Sequence, residues 1–254
     1  MLHIVRHPGP EAPPPLVIAH GLFGSAKNWG GVARRLAEGR EVLAVDMRNH
    51  GDSPRDPRHD YEAMAADLAE AIGTLGRPAD LLGHSMGGKA AMTLALTQGE
   101  LLRRLVVADI APTAYGHSQI GYVEAMAALD LSALRRRSEA DAALKAAVPE
   151  AAVRAFLLQS LSLSPEGAAW KLNLPVLADQ MPGIMGFPDL SGTFGGPALF
   201  LTGGLSGYVR AENWPEIRAR FPDARRETLP GVGHWLHAEA PEAFVAAVEA
   251  FLAG

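Results

Sequence analysis

The most restrictive feature of the sequence is a serine between two glycines, where Gly83, Ser85 and Gly87 form the pattern G-x-S-x-G. An apolar run over 79–82 precedes it, and residues 90–96 after it have the composition of a helix. A strand, a sharp turn and a helix in this order hold a serine in a strained backbone conformation with its hydroxyl exposed. The pattern predicts a nucleophilic serine; the alternative is a glycine-rich structural turn in which the serine is incidental.

Composition excludes several classes of site and partner. The 254 residues carry a net charge of −5 with no long run of one sign, which argues against nucleic acid or an anionic membrane as the main partner. The lack of cysteine excludes disulfides, thiolate zinc sites and cysteine nucleophiles. No apolar run has the length of a membrane span, and the N-terminus lacks a signal-peptide core. We therefore expect a cytoplasmic protein, with monomer and dimer both open.

The chain alternates between short apolar strands and helical segments. Strands are predicted at 2–7, 16–19, 41–45, 79–82, 104–109, 197–202 and 224–229. Helices are predicted at 28–37, 61–75, 90–96 and 211–221, with a last helix that begins at Pro241. Short, uninterrupted strands that alternate with helices indicate an α/β fold with a mostly parallel central sheet and helices on both faces.

Residues 112–192 break this alternation. The segment is helix-like throughout and shows no convincing strand, and Ser164-Pro165-Glu166 has the composition of a helix start. We interpret the segment as an insertion of helices that stands on the sheet as a cap. The predicted domains are a core of residues 1–111 and 193–254 and a helical cap of residues 112–192.

A serine hydroxyl is a poor nucleophile near neutral pH, so a base must activate it. His234 is the best candidate, because the loop that contains it follows the last predicted strand, at the edge where parallel sheets open. The chain order Ser, Asp, His also matches this architecture. His237, three residues later, is the competing base.

The third group is an acid that orients the base. The loop over 203–208 contains no carboxylate, and the nearest one, Glu212, falls in the next predicted helix. The strand before the cap ends in Asp109, so we predict that Asp109 is the acid. Two alternatives remain: Asp109 caps a turn, or Asp179 in the cap is the acid.

An acyl-transfer site also needs N–H donors for the negative charge that develops on the substrate oxygen. The backbone N–H of Met86, directly after the nucleophile, is one predicted donor. The second should come from the glycine loop after the second strand, with Leu22 first and Phe23 next. We expect His20 in this loop to stabilise the turn and His84 to line the site, without a catalytic role for either.

Several large side chains are candidates for an acyl pocket. In the cap these are Tyr122, Phe156, Trp170, Met181 and Met185, although they could equally form the cap's own core. Outside the cap, Tyr208 and Trp235 are predicted to contact substrate.

The loop over 46–53 contains oxygen and nitrogen ligands suited to a metal. Their close spacing in a turn, with no partner cluster elsewhere, favours backbone hydrogen bonding. We predict no metal, and the catalytic groups call for no cofactor.

With these residues assembled, the chain resembles the α/β-hydrolase superfamily and, more narrowly, the YbfF-type bacterial esterases, which are related to the mammalian α/β-hydrolase-domain-eleven proteins. The resemblance rests on His20-Gly21-Leu22-Phe23-Gly24-Ser25, Asp46-Met47-Arg48-Asn49-His50-Gly51, Ser85-Met86-Gly87-Gly88-Lys89, Asp109-Ile110-Ala111-Pro112 and Gly233-His234-Trp235-x-His237. Leu205 departs from the narrower group, which tends to have a polar residue there.

The resemblance implies a carboxylesterase or thioesterase whose small-molecule substrate is an acyl ester or thioester, acyl-CoA included, with a triad of Ser85, Asp109 and His234. The same scaffold also supports C–C bond hydrolysis, perhydrolysis and lyase chemistry. Dehalogenases and epoxide hydrolases fit less well, because they normally have aspartate at the position of Ser85. A catalytically silent binding module is the alternative of a different class.

Overall fold

The structure is a computed structural model that describes residues 1–165 and 167–254. In chain order its strands are β1 (His3–His7), β2 (Leu16–Ala19), β3 (Val42–Asp46), β4 (Ala79–His84), β5 (Leu102–Ala108), β6 (Leu161–Ser164), β7 (Gly167–Trp170), β8 (Ala198–Gly203) and β9 (Ala224–Leu229).

Its α-helices are α1 (Gly30–Leu36), α2 (Tyr61–Gly73), α3 (Met86–Thr97), α4 (Ile120–Ala127), α5 (Arg137–Leu144), α6 (Ala151–Leu157), α7 (Leu174–Asp179), α8 (Met181–Met185), α9 (Trp214–Arg220), α10 (Leu236–Glu239) and α11 (Pro241–Ala253). Short 3-10 helices lie at Ala26–Trp29, Gly99–Leu101, Leu158–Ser160 and Ala211–Asn213. No helix among the described residues has the length and apolar character needed to cross a membrane.

One sheet organises the chain, with its strands in the order β1-β3-β2-β4-β5-β8-β9. β1 pairs antiparallel with β3, and the other neighbours pair in parallel. Each of the seven strands predicted from the apolar runs is present, and the α/β fold class is confirmed. Parallel strands need crossover connections, which is why helices separate them along the chain.

Both faces of the sheet are buried, which explains why its central strands are uninterrupted apolar runs. Alternate residues of each strand point to opposite faces. In β2, Val17 belongs to the core that α2, α3 and the cap segment cover. Its neighbours Leu16 and Ile18 belong to the core that α1 and α11 cover. β9 is an edge strand, and only its two end residues are buried.

The segment 112–192 contains α4 to α8 and an antiparallel hairpin of β6 and β7, in which Leu161 pairs with Trp170. The prediction of helix throughout, with a helix start at 164–166, is wrong for this hairpin; Glu166 itself lies outside the described residues. The sequence Leu-Ser-Leu-Ser of β6 alternates apolar and polar residues, which is the period of a strand. Gly167, at a φ of +133°, opens the returning strand in a conformation that favours glycine.

The topology brings the predicted catalytic residues to one edge of the sheet. Ser85 directly follows β4, Asp109 directly follows β5, and His234 lies in the loop after β9. The carboxyl ends of parallel strands open on the same side, where α/β proteins bind their ligands.

Candidate active site

Ser85 sits in the sharp turn that the sequence predicts. Its φ and ψ are 53° and −119°, a conformation that L-residues rarely adopt, and it directly precedes the first turn of α3. A Cβ atom on Gly83 would lie 2.3 Å from the Gly87 carbonyl oxygen, and one on Gly87 would lie 2.4 Å from the Ala19 carbonyl oxygen. Both positions therefore require glycine. The Ser85 N–H donates to the Ala108 carbonyl at 3.1 Å, which ties the turn to β5.

His234 and Asp109 form a hydrogen-bonded pair beside this turn, with 2.7 Å between His234 Nδ1 and Asp109 Oδ2. The Asp109 side chain is 0% exposed, whereas that of His234 is 22% exposed, so the acid is shielded and the imidazole reaches open space. Because an ionised carboxylate only accepts hydrogen bonds, Nδ1 has the proton and Nε2 keeps its lone pair. His234 and Ser85 line the same cavity, so the candidate base and the candidate nucleophile face one space.

The loop after β8 supplies donors to the acid. The Gly203 N–H donates to Asp109 Oδ1 at 3.0 Å, and the Ser206 hydroxyl donates to Oδ2. Asp109 itself has a φ of +52°, and its own N–H donates to the Leu201 carbonyl at 2.9 Å. Although the loop has no carboxylate of its own, it holds the carboxylate that the neighbouring strand provides.

Two contacts fix the His234 ring and backbone. The Tyr208 ring stacks on the His234 imidazole, with 4.1 Å between the ring centroids and 23° between the planes. His84 Nε2 donates to the His234 carbonyl oxygen at 2.9 Å. Burial lowers the pKa of His84 well below its usual value, so its imidazole stays neutral. His84 is thus a wall residue, as expected.

The competing candidates have other partners, although His237 also lines the cavity. His237 stacks on Trp29 at a centroid distance of 4.0 Å, and burial lowers its pKa to about 4. Asp179 is exposed at the end of α7 and accepts from Gln180 at 2.6 Å, so it does not orient His234. Glu212 is also exposed. The structure therefore places Asp109, and none of these residues, against the imidazole.

The structure distinguishes the two candidate oxyanion donors of the glycine loop. The Phe23 N–H donates to His50 Nε2 at 3.2 Å, so this donor is already engaged. Leu22 lines the cavity next to Ser85 and Met86, which favours the Leu22 N–H as the partner of the Met86 N–H. The Phe23 alternative does not fit an oxyanion role in this geometry.

Neutral histidines brace this loop from behind. His20 Nδ1 donates to the Gly21 carbonyl at 2.8 Å, and its Nε2 accepts from the Met47 N–H at 2.9 Å. His50 Nδ1 donates to the Arg48 carbonyl at 2.9 Å. Burial lowers the pKa of His20 to about 4 and that of His50 to about 3. His20 stabilises the turn as expected, whereas the role of His50 had no signal in the sequence.

The loop over 46–53 makes backbone hydrogen bonds, as predicted. Asp46 Oδ1 accepts from the Ala26 N–H at 2.7 Å, and Oδ2 accepts from the Asp52 N–H at 2.8 Å. Gly51, at a φ of +58°, leaves room for this carboxylate. The carboxylate therefore organises the loop through two amides.

A mostly apolar cavity, partly open to solvent, surrounds Ser85; the space of about 830 Å³ between its walls includes open solvent. Five of the predicted substrate-binding residues line it: Tyr122, Phe156, Met185, Tyr208 and Trp235.

Trp170 and Met181 belong to the hydrophobic core that the cap segment shares with the sheet, and they do not line the cavity, so their prediction as pocket residues is wrong. The Trp170 indole N–H donates to the Met126 carbonyl at 3.0 Å, and the side chain is buried. Met181 is also buried among apolar residues. An aromatic or Met residue in a small helical layer has the same sequence pattern whether it packs inward or faces a ligand.

Sequence reasoning missed several lining residues, of which Lys89, Tyr61, Tyr115 and Ile184 are the clearest. The available signal was helical spacing, since Lys89 lies four residues after Ser85 on α3. The others come from distant elements that only the tertiary structure brings together.

The chain matches the model of the alpha/beta hydrolase family over residues 16–247. It is 44% identical over 249 residues to the mouse (Mus musculus) sn-1-specific diacylglycerol lipase ABHD11, over 94% of this chain and 81% of the relative. It is 40% identical over 242 residues to Esterase YbfF of Escherichia coli K12, over 94% and 92%. A marine microorganism esterase superposes with a TM-score of 0.93 at 36% identity, over 98% of both chains. This chain belongs to the α/β-hydrolase family and is of the YbfF type.

Proposed function

We propose that this protein is a serine hydrolase of carboxylic acyl esters or thioesters. In this proposal Ser85 is the nucleophile, His234 is the base and Asp109 is the acid. The observation that carries it is the 2.7 Å pair of His234 and Asp109 beside the strained Ser85, with base and nucleophile in one cavity. A neutral imidazole whose Nδ1 is held by a buried carboxylate presents a basic Nε2 to a serine hydroxyl.

The chemistry proceeds in two halves. His234 Nε2 takes the proton from Ser85 Oγ as the oxygen attacks the carbonyl carbon, and the backbone N–H groups of Leu22 and Met86 bind the oxyanion. The tetrahedral species collapses to an acyl-Ser85 intermediate, and His234 gives the proton to the departing alcohol or thiol. Water, deprotonated by His234, then attacks the acyl carbon, and the carboxylic acid leaves Ser85, which regains its proton.

The substrate class follows from the cavity and from the relatives. Apolar and aromatic side chains make up most of the cavity wall, which suits a hydrocarbon acyl group. The mouse relative is named a diacylglycerol lipase and the bacterial one an esterase. We infer an acyl ester as substrate and include acyl-CoA as a candidate thioester. We also propose that residues 112–192 act as the cap that shapes this pocket.

A fluorophosphonate probe tests the nucleophile directly. The wild type should be labelled at Ser85, and Ser85→Ala should lose both the label and about 10⁴–10⁶-fold in turnover of a short p-nitrophenyl ester. Ser191→Ala is the matched control for the probe, because it removes an exposed serine hydroxyl that does not line the cavity. No labelling of Ser85 would favour a silent binding module. Labelling without turnover of any ester or thioester would favour C–C bond hydrolysis, perhydrolysis or lyase chemistry.

A further inference from the structure

Lys89 is a buried cation that the proposed chemistry does not use. It lies in α3 one turn after Ser85, and its backbone N–H donates to the Ser85 carbonyl at 3.0 Å. Lys89 is 1% exposed, yet it forms part of the cavity lining. A buried ammonium is costly unless hydrogen bonds or opposite charge compensate it, so its partners indicate its role.

The ammonium bonds to the end of α8 in the cap segment. Nζ donates to the Met185 carbonyl at 3.0 Å and also to the Gly186 carbonyl. The ring centroid of Tyr115 lies 4.7 Å from Nζ, and that of Tyr61 lies 5.7 Å from it. No ion pair joins Nζ to a carboxylate among residues 1–165 and 167–254. Carbonyl dipoles and aromatic faces therefore compensate the charge.

Two donors from outside the cap helices, Tyr61 and Tyr115, hold the same stretch at two further points. The Tyr61 hydroxyl donates to the Ile184 carbonyl at 2.5 Å, and the Tyr115 N–H donates to the Met185 carbonyl at 3.0 Å. Three consecutive carbonyls thus receive donors from outside the cap helices. The side chains of Ile184 and Met185 line the cavity, so these bonds fix a wall of the pocket.

We propose that Lys89 is a positioning residue that fixes the Ile184–Met185 wall relative to Ser85 and thereby sets the selectivity for acyl chain length. The inference rests on the proposed acyl hydrolysis, because the wall matters to selectivity only if an acyl group enters the cavity. Buried ionic groups are retained in some proteins for structural specificity at a cost in stability. In this protein the specified feature is the distance between the nucleophile helix and the cap.

Deprotonation of Lys89 provides a second test of whether its ammonium fixes the Ile184–Met185 wall. Burial lowers the pKa of this ammonium to about 7. The titratable groups that face it are Tyr61 on α2 and Tyr115 after β5, and burial raises the pKa of both phenols, so they stay neutral. As the pH rises through about 7, the amine loses its charge and its hydrogen bonds to the carbonyls weaken. Chain-length selectivity should then weaken as well.

The kinetic test compares Lys89→Met with Lys145→Met, an exposed lysine of the cap segment. We expect the ratio of kcat/KM for octanoyl and acetyl p-nitrophenyl esters to fall about tenfold in Lys89→Met, mainly through KM for the octanoyl ester. Lys145→Met should keep the wild-type ratio. In the wild type the ratio should fall as the pH rises through about 7, whereas Lys89→Arg, whose guanidinium stays charged, should hold it constant. If Lys89→Met does not fold, the wild-type pH series and Lys89→Arg still decide.

Amide hydrogen exchange gives a readout that needs no activity. Exchange over residues 181–190 should become about tenfold faster in Lys89→Met and stay unchanged in Lys145→Met. Faster exchange in a protein that hydrolyses no ester would support the positioning role while the proposed function fails. Unchanged exchange together with an unchanged chain-length ratio would overturn the proposal. A selective loss of activity in Lys89→Met toward half-esters that bear a terminal carboxylate would also overturn the proposal, because the ammonium would then bind substrate.

Discussion

The Ser206 hydroxyl and His234 Nδ1 share one acceptor, because both donate to Oδ2 of Asp109. The Ser206 oxygen in turn accepts from the Tyr208 N–H at 3.3 Å, and the Tyr208 ring stacks on the imidazole. A single serine therefore connects the acid to the residue that packs on the base. The loop over 203–208, which has no carboxylate, thus holds Asp109 and His234 in place through Ser206 and Tyr208.

Removing the Ser206 hydroxyl should slow the enzyme. In Ser206→Ala the Asp109 carboxylate loses a donor and the Tyr208 N–H loses an acceptor, so kcat should fall about tenfold. Steady-state kinetics on one ester with the wild type, Ser206→Ala and Ser206→Thr measure this effect. Ser206→Thr keeps the hydroxyl and should stay near the wild type; equal kcat values for all three would contradict the expectation.

The acid can be identified by a matched pair of amides. Asp109→Asn should lower kcat by up to ~10⁴-fold, since an amide can hold the imidazole in the wrong tautomer. Asp179→Asn changes an exposed side chain that contacts Gln180 and should leave kcat within about twofold. Kinetics on one ester with both variants, together with circular dichroism to verify folding, make the comparison. A larger loss in Asp179→Asn would reverse our assignment.

Substitutions of two aromatic residues in the cap segment should have different effects: one should weaken substrate binding and the other should lower the stability of the fold. Phe156 is half-buried, lines the cavity and lies 5.6 Å from the Trp235 ring, so Phe156→Ala should raise KM for long acyl esters with little change in Tm. Trp170 is buried and its indole is hydrogen-bonded, so Trp170→Ala should cost about 3–5 kcal/mol of unfolding free energy. Thermal melts and a chain-length series on both variants test this. An unchanged Tm in Trp170→Ala would place that residue outside the core.

Because His20 and His50 are buried, we predict that the stability of the protein falls in mild acid. Burial lowers the pKa of His20 to about 4 and that of His50 to about 3, below the ordinary value of 6.5. Above pH ~6.5 both histidines are neutral in the folded and in the unfolded chain, so their full contribution to stability is present. Below pH ~6.5 the unfolded chain binds protons at these histidines and the folded protein does not, which lowers the free energy of unfolding. Each histidine should therefore cost about 2 kcal/mol at pH ~5.

Urea unfolding at pH ~7 and pH ~5 measures this loss. His50→Gln keeps an acceptor for the Phe23 N–H and cannot titrate, so its stability should depend less steeply on pH than that of the wild type. Equal slopes for the two proteins would show that His50 does not contribute.

Sequence reasoning was effective where local sterics decide the structure. Gly83 is required by the backbone of the same turn and Gly87 by the Ala19 carbonyl of the adjacent β2, so the strand, turn and helix around Ser85 could be predicted. The same holds for the apolar strands and for Asp109, whose pairing with His234 follows from the strand that precedes it. These features depend on residues that are close in sequence or on the shared edge of the sheet.

Features that depend on packing between distant segments could not be predicted from the sequence. Nothing local distinguishes Trp170 in the core from Phe156 in the pocket wall, because both are aromatic residues of the same thin layer. The engagement of the Phe23 N–H depends on His50, which belongs to another loop. A lysine in a helix is typical of a solvent-exposed position. The carbonyl that accepts from the Lys89 ammonium instead belongs to α8, nearly a hundred residues away.

The pairing of β4 with β5 supports two of the three proposed catalytic groups and leaves out the third. His84 and Ala108 are partners in this ladder, so the residues that follow them, Ser85 and Asp109, are mounted on one rigid interior platform. His234 comes instead from the loop after β9, at the margin of the sheet. Substitutions at the exposed positions of that loop, such as Pro230, would thus shift the imidazole relative to Ser85 while leaving the β4–β5 ladder intact. The position of the imidazole can therefore vary without disturbing the strands that hold Ser85 and Asp109.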